Sequence, residues 1–390
     1  MKLWPLYCLI YLVPICVCGQ QISIKRIDDT RISADSLTQN LQRLTQAARV
    51  TGLQVTVFNL DTIVYSKSFG YRDANHKTPL EPNTEIYAAS LSKIIFAVIA
   101  MKLVEQGVLD LDKPLQEYID TPVYKLDNKD AFLTFHDLKK DKRYKLITAR
   151  MCLSHTTGFP NWRQRERRQR LTIKSPPGTL YSYSGEGLSY LQLFVERLTN
   201  RKLEDLAQEY VFKPLKMDQT SFIWQRTFDQ NFAEGHDKNG TVLPKLTYAT
   251  AIAAGSMETS QQDYAAFLAA ILQGRLLKPE SWKEVFSPQI RIRSATQFQA
   301  TYITDKYDGI ALSYGLGCGL FNTPAGFAAF KEGHGQGFQH YFVLFPKKQS
   351  GILIMTNSDN GESIFRELLE TAIGDKYTPW EWENYIPYNL

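Results

Sequence analysis

The sequence predicts an α/β chain of the α+β kind. One antiparallel sheet, built from both chain ends and flanked by helices, carries an inserted, mostly helical lobe. Three observations predict it. β-Branched and aromatic runs cluster before residue 80 and after residue 310. Helical periodicity dominates residues 116–299. With 390 residues, 44% hydrophobic and 22% charged, the chain is long enough to bury one large core.

The elements follow in order. Residues 1–19, MKLWPLYCLIYLVPICVCG, read as a signal peptide: Lys2, a short apolar run broken by Pro14, then small residues ending at Gly19. Cleavage there would start the mature chain at Gln20, exported to the periplasm or beyond; a lipid anchor on Cys18 fits less well behind bulky Val17. It also removes three of the five cysteines, leaving Cys152 and Cys318 in apolar contexts that suit buried free thiols. Residues 20–390 then form a single domain, with 20–115 and 300–390 supplying the sheet part. Leu37, Leu41, Leu44 and Ala48 give an amphipathic helix over 35–49. LQVTVFNLDTIVYSKSFGYRD reads as a hairpin turning at Asn59 to Asp61. A buried helix spans 90–106 and ends at Gly107. LSYLQLFVERLTN and QQDYAAFLAAILQGRLL are the clearest helices of the middle region. Strands return in GFAAFKEGH, FQHYFVLFP and GILIMTNS, and SIFRELLETAI closes the fold with an apolar helix face.

The chemistry starts at the buried helix. Ser90 and Lys93, at i and i+3, share one face at its N-terminus, and IIFAVIA follows them. A lysine stripped of water there loses affinity for its proton and becomes a base beside a hydroxyl nucleophile. The plain alternative is Ser90 as a helix cap and Lys93 as a rim charge. Spacing alone leaves both open. No zinc, P-loop, dinucleotide or GxSxG signature is present, and the six histidines are scattered, so no metal or cofactor is expected.

Collinear stretches decide between the two readings. SLSK is followed by LVEQGVLDLDKPLQEYI, ITARMCLSHTTGFPNW, PPGTLYSYSGEGLSYLQ, FKPLKMDQTSF, AAGSMETSQQDYAAFL, YGLGCGL and MTNSDNG. Over residues 40–375 the chain resembles the serine β-lactamase and penicillin-binding protein superfamily, on its class C, carboxypeptidase and esterase side. The resemblance implies Ser90 as the acylated nucleophile and Lys93 as its proton partner. It implies Tyr183, in Tyr183-Ser184-Gly185, as the second-motif tyrosine, with Tyr181 a nearby decoy. It puts His334 where the family opens its third motif with Lys or His. It makes the backbone N–H groups of Ser90 and Gly337 the oxyanion hole.

Two departures stand out. Gly185 takes the place of the family's usual Asn, which weakens recognition of substrate amides. Gln336 takes the place of a small residue in His334-Gly335-Gln336-Gly337, so either a bulge shifts the strand or Gln336 narrows the cleft. A neutral His334 would hold a substrate carboxylate poorly at neutral pH, and better as pH falls. Ser358-Asp359-Asn360 spells another family's motif but lies in the wrong order, and reads as turn and cap. His155 reads as a buried structural histidine. Arg163, Arg165, Arg167, Arg168 and Arg170 read as a solvated loop, or else as a basic rim. The implied function is an exported bacterial serine hydrolase acting through an acyl-enzyme on ester or amide bonds. Alternatives are a class C β-lactamase, a D-Ala-D-Ala carboxypeptidase, or a penicillin-recognising protein with little turnover. The expected partner is a small-molecule, peptide or ester substrate; nucleic acid and stable membrane insertion are not expected.

Overall fold

A computed structural model describes residues 23–128, 130–300 and 302–390. The proposed signal peptide lies outside the described residues. Among them, no helix is long and apolar enough to cross a membrane.

Six strands form the body of one antiparallel sheet: β1 (Gly52–Asn59), β2 (Thr62–Asp73), β3 (Gly319–Thr323), β4 (Gly326–Gly335), β5 (Phe338–Phe345) and β6 (Ser350–Thr356). They lie in the order β2-β1-β6-β5-β4-β3, with two-residue strands at Thr78–Pro79, Ser313–Tyr314 and Ile290–Arg291 extending the edges. The first and last parts of the chain meet where β1 pairs with β6, from Leu53 opposite Thr356 to Asn59 opposite Ser350. The two-ended sheet expected from the sequence is therefore the sheet observed. The β1–β2 turn puts Leu60 and Asp61 at φ 50° and 59°, the left-handed pair that suits the twist of a tight hairpin.

Both sheet faces are covered, which is why every residue of β6 is buried. On one face lie α1 (Ala34–Ala47) and the closing helix α5 (Phe365–Ile373), through Leu37, Leu41, Leu44, Leu368 and Ile373. The Ser33 hydroxyl caps α1 by accepting from the Ser36 N–H. On the other face lies α2 (Ser92–Glu105), enclosed between the sheet and the middle region. Enclosure explains its sequence: a helix covered on all sides has no polar stripe to show. The middle region contributes α3 (Gly185–Thr199) and α4 (Gln261–Leu272), but most of it is 3₁₀ turns and loops. It is less helical than its composition suggests, and it lends Ile290–Arg291 to the sheet edge. α4 is tied to the sheet by Gln261 Nε2, which donates to Val55 O and Thr56 Oγ1 at 2.9 Å. Cys152 and Cys318 are buried free thiols.

Ile354 on β6 is fully buried, opposite Val55. Ile354→Ala should destabilise the fold by about 2–5 kcal/mol through lost burial and a residual cavity. Urea unfolding followed by circular dichroism measures it; a loss below ~1 kcal/mol would mean that the two chain ends are not joined there.

Candidate active site

The segment before α2 sets the site. Ala89–Leu91 form one 3₁₀ turn, and the α-helix proper begins at Ser92. Side chains three apart nearly eclipse in such a turn, so Lys93 Nζ reaches Ser90 Oγ at 2.8 Å. Ala89 is held at φ 47°, a left-handed conformation costing an alanine roughly 1–2 kcal/mol. Its neighbours hold it there. Ala88 N–H donates to Met257 O at 2.8 Å, Ser92 Oγ donates to Ala89 O at 2.6 Å, and the Tyr264 hydroxyl donates to Leu91 O at 3.1 Å.

Lys93 is 1% exposed, and Nζ also donates to Ala254 O at 2.5 Å. Burial, then the nearby Lys331 cation, hold its pKa well below the ordinary lysine value. The rim-charge alternative is thereby removed. Tyr183, 5% exposed, presents its ring 5.1 Å from the Lys93 Nζ that donates to Ser90. Burial, followed by the Glu332 carboxylate, pushes its phenol well above the usual range. Tyr183, not Tyr181, is thus the tyrosine at Ser90; the Tyr181 hydroxyl is buried without a partner among the described residues.

The third motif needs correction. The side chain that reaches Tyr183 from β4 is Lys331, whose Nζ donates to the Tyr183 hydroxyl at 3.0 Å. His334 turns elsewhere: its Nε2 lies 3.0 Å from Glu362 Oε2, and its ring packs edge-on to Tyr385. Lys331-Glu332-Gly333 spells Lys-x-Gly three residues upstream of the assigned position. Gly333 faces the nucleophile turn closely enough that a Cβ would stand 2.9 Å from Ala88 O. Lys331-Glu332-Gly333 fits the Lys-x-Gly form in full, whereas Gln336 breaks the His-x-Gly form at His334.

The oxyanion assignment moves with it. Gly337 N–H donates to Asp359 Oδ1 at 2.7 Å, so it is already engaged. Gln336 and Gly337 form the two-residue turn between β4 and β5, the ladder is regular to Gly335 opposite Phe338, and Gln336 is exposed. No bulge shifts the register. Alternation from that turn directs the His334 N–H to the open edge of β4, beyond the reach of β3.

Glu332 has no precedent in the sequence reading. It is 2% exposed and forms a short ion pair with Lys331, itself fully buried. The lysine holds the Glu332 carboxyl below the usual range against the opposing effect of burial.

Gly185 has a structural reason. It opens α3, and a Cβ there would stand 2.7 Å from the Trp162 ring. The indole fills the space that a side chain would take. His155, buried at φ 58°, accepts the Ser184 N–H on Nδ1 at 3.1 Å while its carbonyl accepts the Ser182 N–H at 2.8 Å. It positions Tyr183 from both sides, which agrees with the structural reading. Arg163 is no rim residue: it pairs with buried Glu186 and donates to Thr134 O. Arg170 pairs with Asp137, while Arg165, Arg167 and Arg168 are exposed. Asp359 and Asn360 serve the turn after β6, where Asn360 Nδ2 donates to Arg49 O and Lys238 O; Asn360 makes no side-chain helix cap.

A cavity of 390 Å³ opens at Ser90, lined also by His334, Gly335 and Gln336. A second cavity, of 200 Å³, opens at Tyr183, and Trp162 lines both.

The family model for beta-lactamase matches residues 37–373. The chain belongs to the beta-lactamase family. Among relatives, Protein flp of Staphylococcus aureus (strain N315) is 22% identical over 349 residues, covering 84% of this chain and 64% of that protein. The chain thus spans under two thirds of that relative's length. The octameric penicillin-binding protein homologue from Pyrococcus abyssi superposes with a TM-score of 0.69 at 19% identity, covering 88% of this chain and 78% of that one. EstCE1, a hydrolase with promiscuous acyltransferase activity, superposes with a TM-score of 0.69 at 16% identity, covering 88% and 99%. The beta-lactamase fold read from the sequence is the fold these comparisons share.

Burial lowers the Lys93 pKa in the fold, while the unfolded chain keeps this lysine protonated up to about pH 10.4. Unfolding therefore takes up a proton between the two pKa values, and stability rises with pH across that window. Lys93→Met should remove that slope, and it should raise stability below the window. Urea midpoints at pH 7 and pH 9 check this; an unchanged slope would show that Lys93 stays charged in the fold.

Proposed function

We propose that the chain is a serine hydrolase working through an acyl-enzyme, with esters as its preferred substrates. The observation that carries the reading is Ser90 Oγ, 2.8 Å from a desolvated lysine that packs on the Tyr183 ring, at the floor of a cavity. Neutral Lys93 accepts the Ser90 proton as Oγ attacks the carbonyl. The N–H groups of Ser90 and His334 take the oxyanion, a contribution of roughly a hundredfold or more per donor. Tyr183, kept protonated, relays the proton to the leaving oxygen, and water then releases the acyl group. The leader over 1–19 motivates placing this reaction outside the cytoplasm.

Ester preference rests on Lys331 and Gly185. The Lys331 charge is already matched by Glu332, so a substrate carboxylate gains little there. Gly185 cannot hold a substrate amide. The Lys-x-Gly at Lys331 keeps a second reading in view: penicillin acylation with slow release, or D-Ala-D-Ala carboxypeptidase or class C β-lactamase activity.

Ser90→Ala should abolish labelling by fluorophosphonate and fluorescent penicillin alike, with ester turnover down about 10⁵-fold or more. Label on Ser182, Ser184 or Ser256 by intact and peptide mass would overturn the assignment. For the wild type, kcat/KM for p-nitrophenyl acetate should exceed that for nitrocefin at pH 6 and pH 8. Nitrocefin the better substrate at both would favour the β-lactamase reading, and one equivalent of product without turnover would favour the binding protein.

Glu332→Thr should free the Lys331 charge and raise kcat/KM for nitrocefin, relative to p-nitrophenyl acetate, by about 10–100-fold, the worth of one charge-assisted hydrogen bond. An unchanged ratio would show that Glu332 does not set substrate charge.

A further inference from the structure

We propose that Trp162, seated on Gly185, divides the cleft by substrate part: the aromatic cavity at Ser90 takes a medium-length alkyl or aryl acyl group, and the alcohol leaves on the Tyr183 side. This rests on the ester-hydrolase reading and deepens it.

The two cavities differ in chemistry. The larger is walled by Tyr87, Phe132, Trp162, Leu246, Tyr248 and Phe338. Tyr87 stacks on Tyr248 at 6.0 Å and meets Phe338 edge-on at 5.8 Å, while Phe132 meets Trp162 edge-on at 5.9 Å. Interlocked rings make a preformed apolar wall rather than a collapsible one. The charges on this cavity are spoken for: Lys245 pairs with buried Glu258 at 2.9 Å and His334 with Glu362. Only Arg165, exposed at the rim, has no ion-pair partner among the described residues.

The smaller cavity is polar. It is lined by Ser182, Tyr183 and Gln297, and the Gln297 amide is buried with neither Nε2 nor Oε1 partnered among the described residues. An alkyl chain lodged there would leave that amide unsolvated; an alcohol with hydrogen-bonding groups would not. Proton balance points the same way. The Ser90 Oγ–acyl bond forms, the acyl–alkoxy bond breaks, and the Ser90 proton passes to the departing alkoxide. The leaving oxygen must therefore face the proton carriers, and Tyr183 lines the second cavity.

The test is a p-nitrophenyl ester series (acetate, butyrate, hexanoate, octanoate, phenylacetate) on the mature chain. The leaving group stays constant, so only the acyl part varies. Each methylene buried in a preformed apolar wall is worth up to about fourfold, so hexanoate and phenylacetate should exceed acetate in kcat/KM by tenfold or more. Leu246→Asp changes a side chain 58% exposed on the cavity mouth, outside the buried core, and should cut the hexanoate-to-acetate ratio at least fivefold. Gly185→Ala should displace the indole and shift the chain-length optimum. If Ser90 is labelled by fluorophosphonate but the ratio is one or less, or if Leu246→Asp leaves it unchanged, the acyl-pocket assignment falls while the hydrolase reading stands. If Ser90 is unlabelled and no ester turns over, both fall.

Discussion

A lysine kept dry is the constraint on which the rest of the molecule depends. Lys93 sits on a helix enclosed between the sheet and the middle region, where its Nζ donates to Ser90 Oγ and Ala254 O. An ammonium in that position is disfavoured, and burial lowers the pKa of the lysine. The all-round apolar sequence of α2, the strained Ala89 turn and the carbonyl from the 251–256 loop all serve that placement. The site draws on pieces far apart in sequence because no local segment could exclude water from Nζ.

The second lysine extends the argument. Lys331 lies on the edge stretch of β4 that β3 does not cover, where its side chain can turn along the strand to meet both Tyr183 and Glu332. Glu332 offsets its charge and, after burial itself, raises the Tyr183 pKa, while burial lowers that of Lys93. Burial first, and the Glu332 carboxylate second, disfavour phenolate at Tyr183. One buried residue thus bears on both the proton inventory and the charge of substrate the cleft will hold.

Packing and chemistry are joined again at Gly185. Its missing Cβ admits Trp162, and Arg163, the next residue, is clamped to Glu186, the next residue after Gly185. Two adjacent contacts thereby pin the loop after the SHTTGFP turn against the start of α3. The departure that looked in sequence like a lost hydrogen-bonding group is, in three dimensions, the seat of an aromatic wall.

Much of this was legible in the chain. The β-branched and aromatic runs of β1, β2, β5 and β6 and the enclosed apolar run of α2 are local patterns that pointed to the two-ended sheet, while Ser90, Lys93 and Tyr183 were placed by the family resemblance. Periodicity overstated the middle region, because short apolar clusters pack as well on 3₁₀ turns as on helices. The third motif was misplaced by three residues because Lys331-Glu332-Gly333 directly precedes His334-Gly335 in KEGHGQG, and sequence cannot say which lies level with the nucleophile turn. The register between β4 and that turn decided it, setting Gly333 against Ala88 and Lys331 against Tyr183. The sequence by itself determined which groups can do chemistry, since the collinear stretches from SLSK to MTNSDNG keep their order along the chain. Only the tertiary structure decided which charges are already neutralised and which space is already filled, because Lys331 with Glu332 and Trp162 with Gly185 owe their states to burial, and burial depends on every element packed around them.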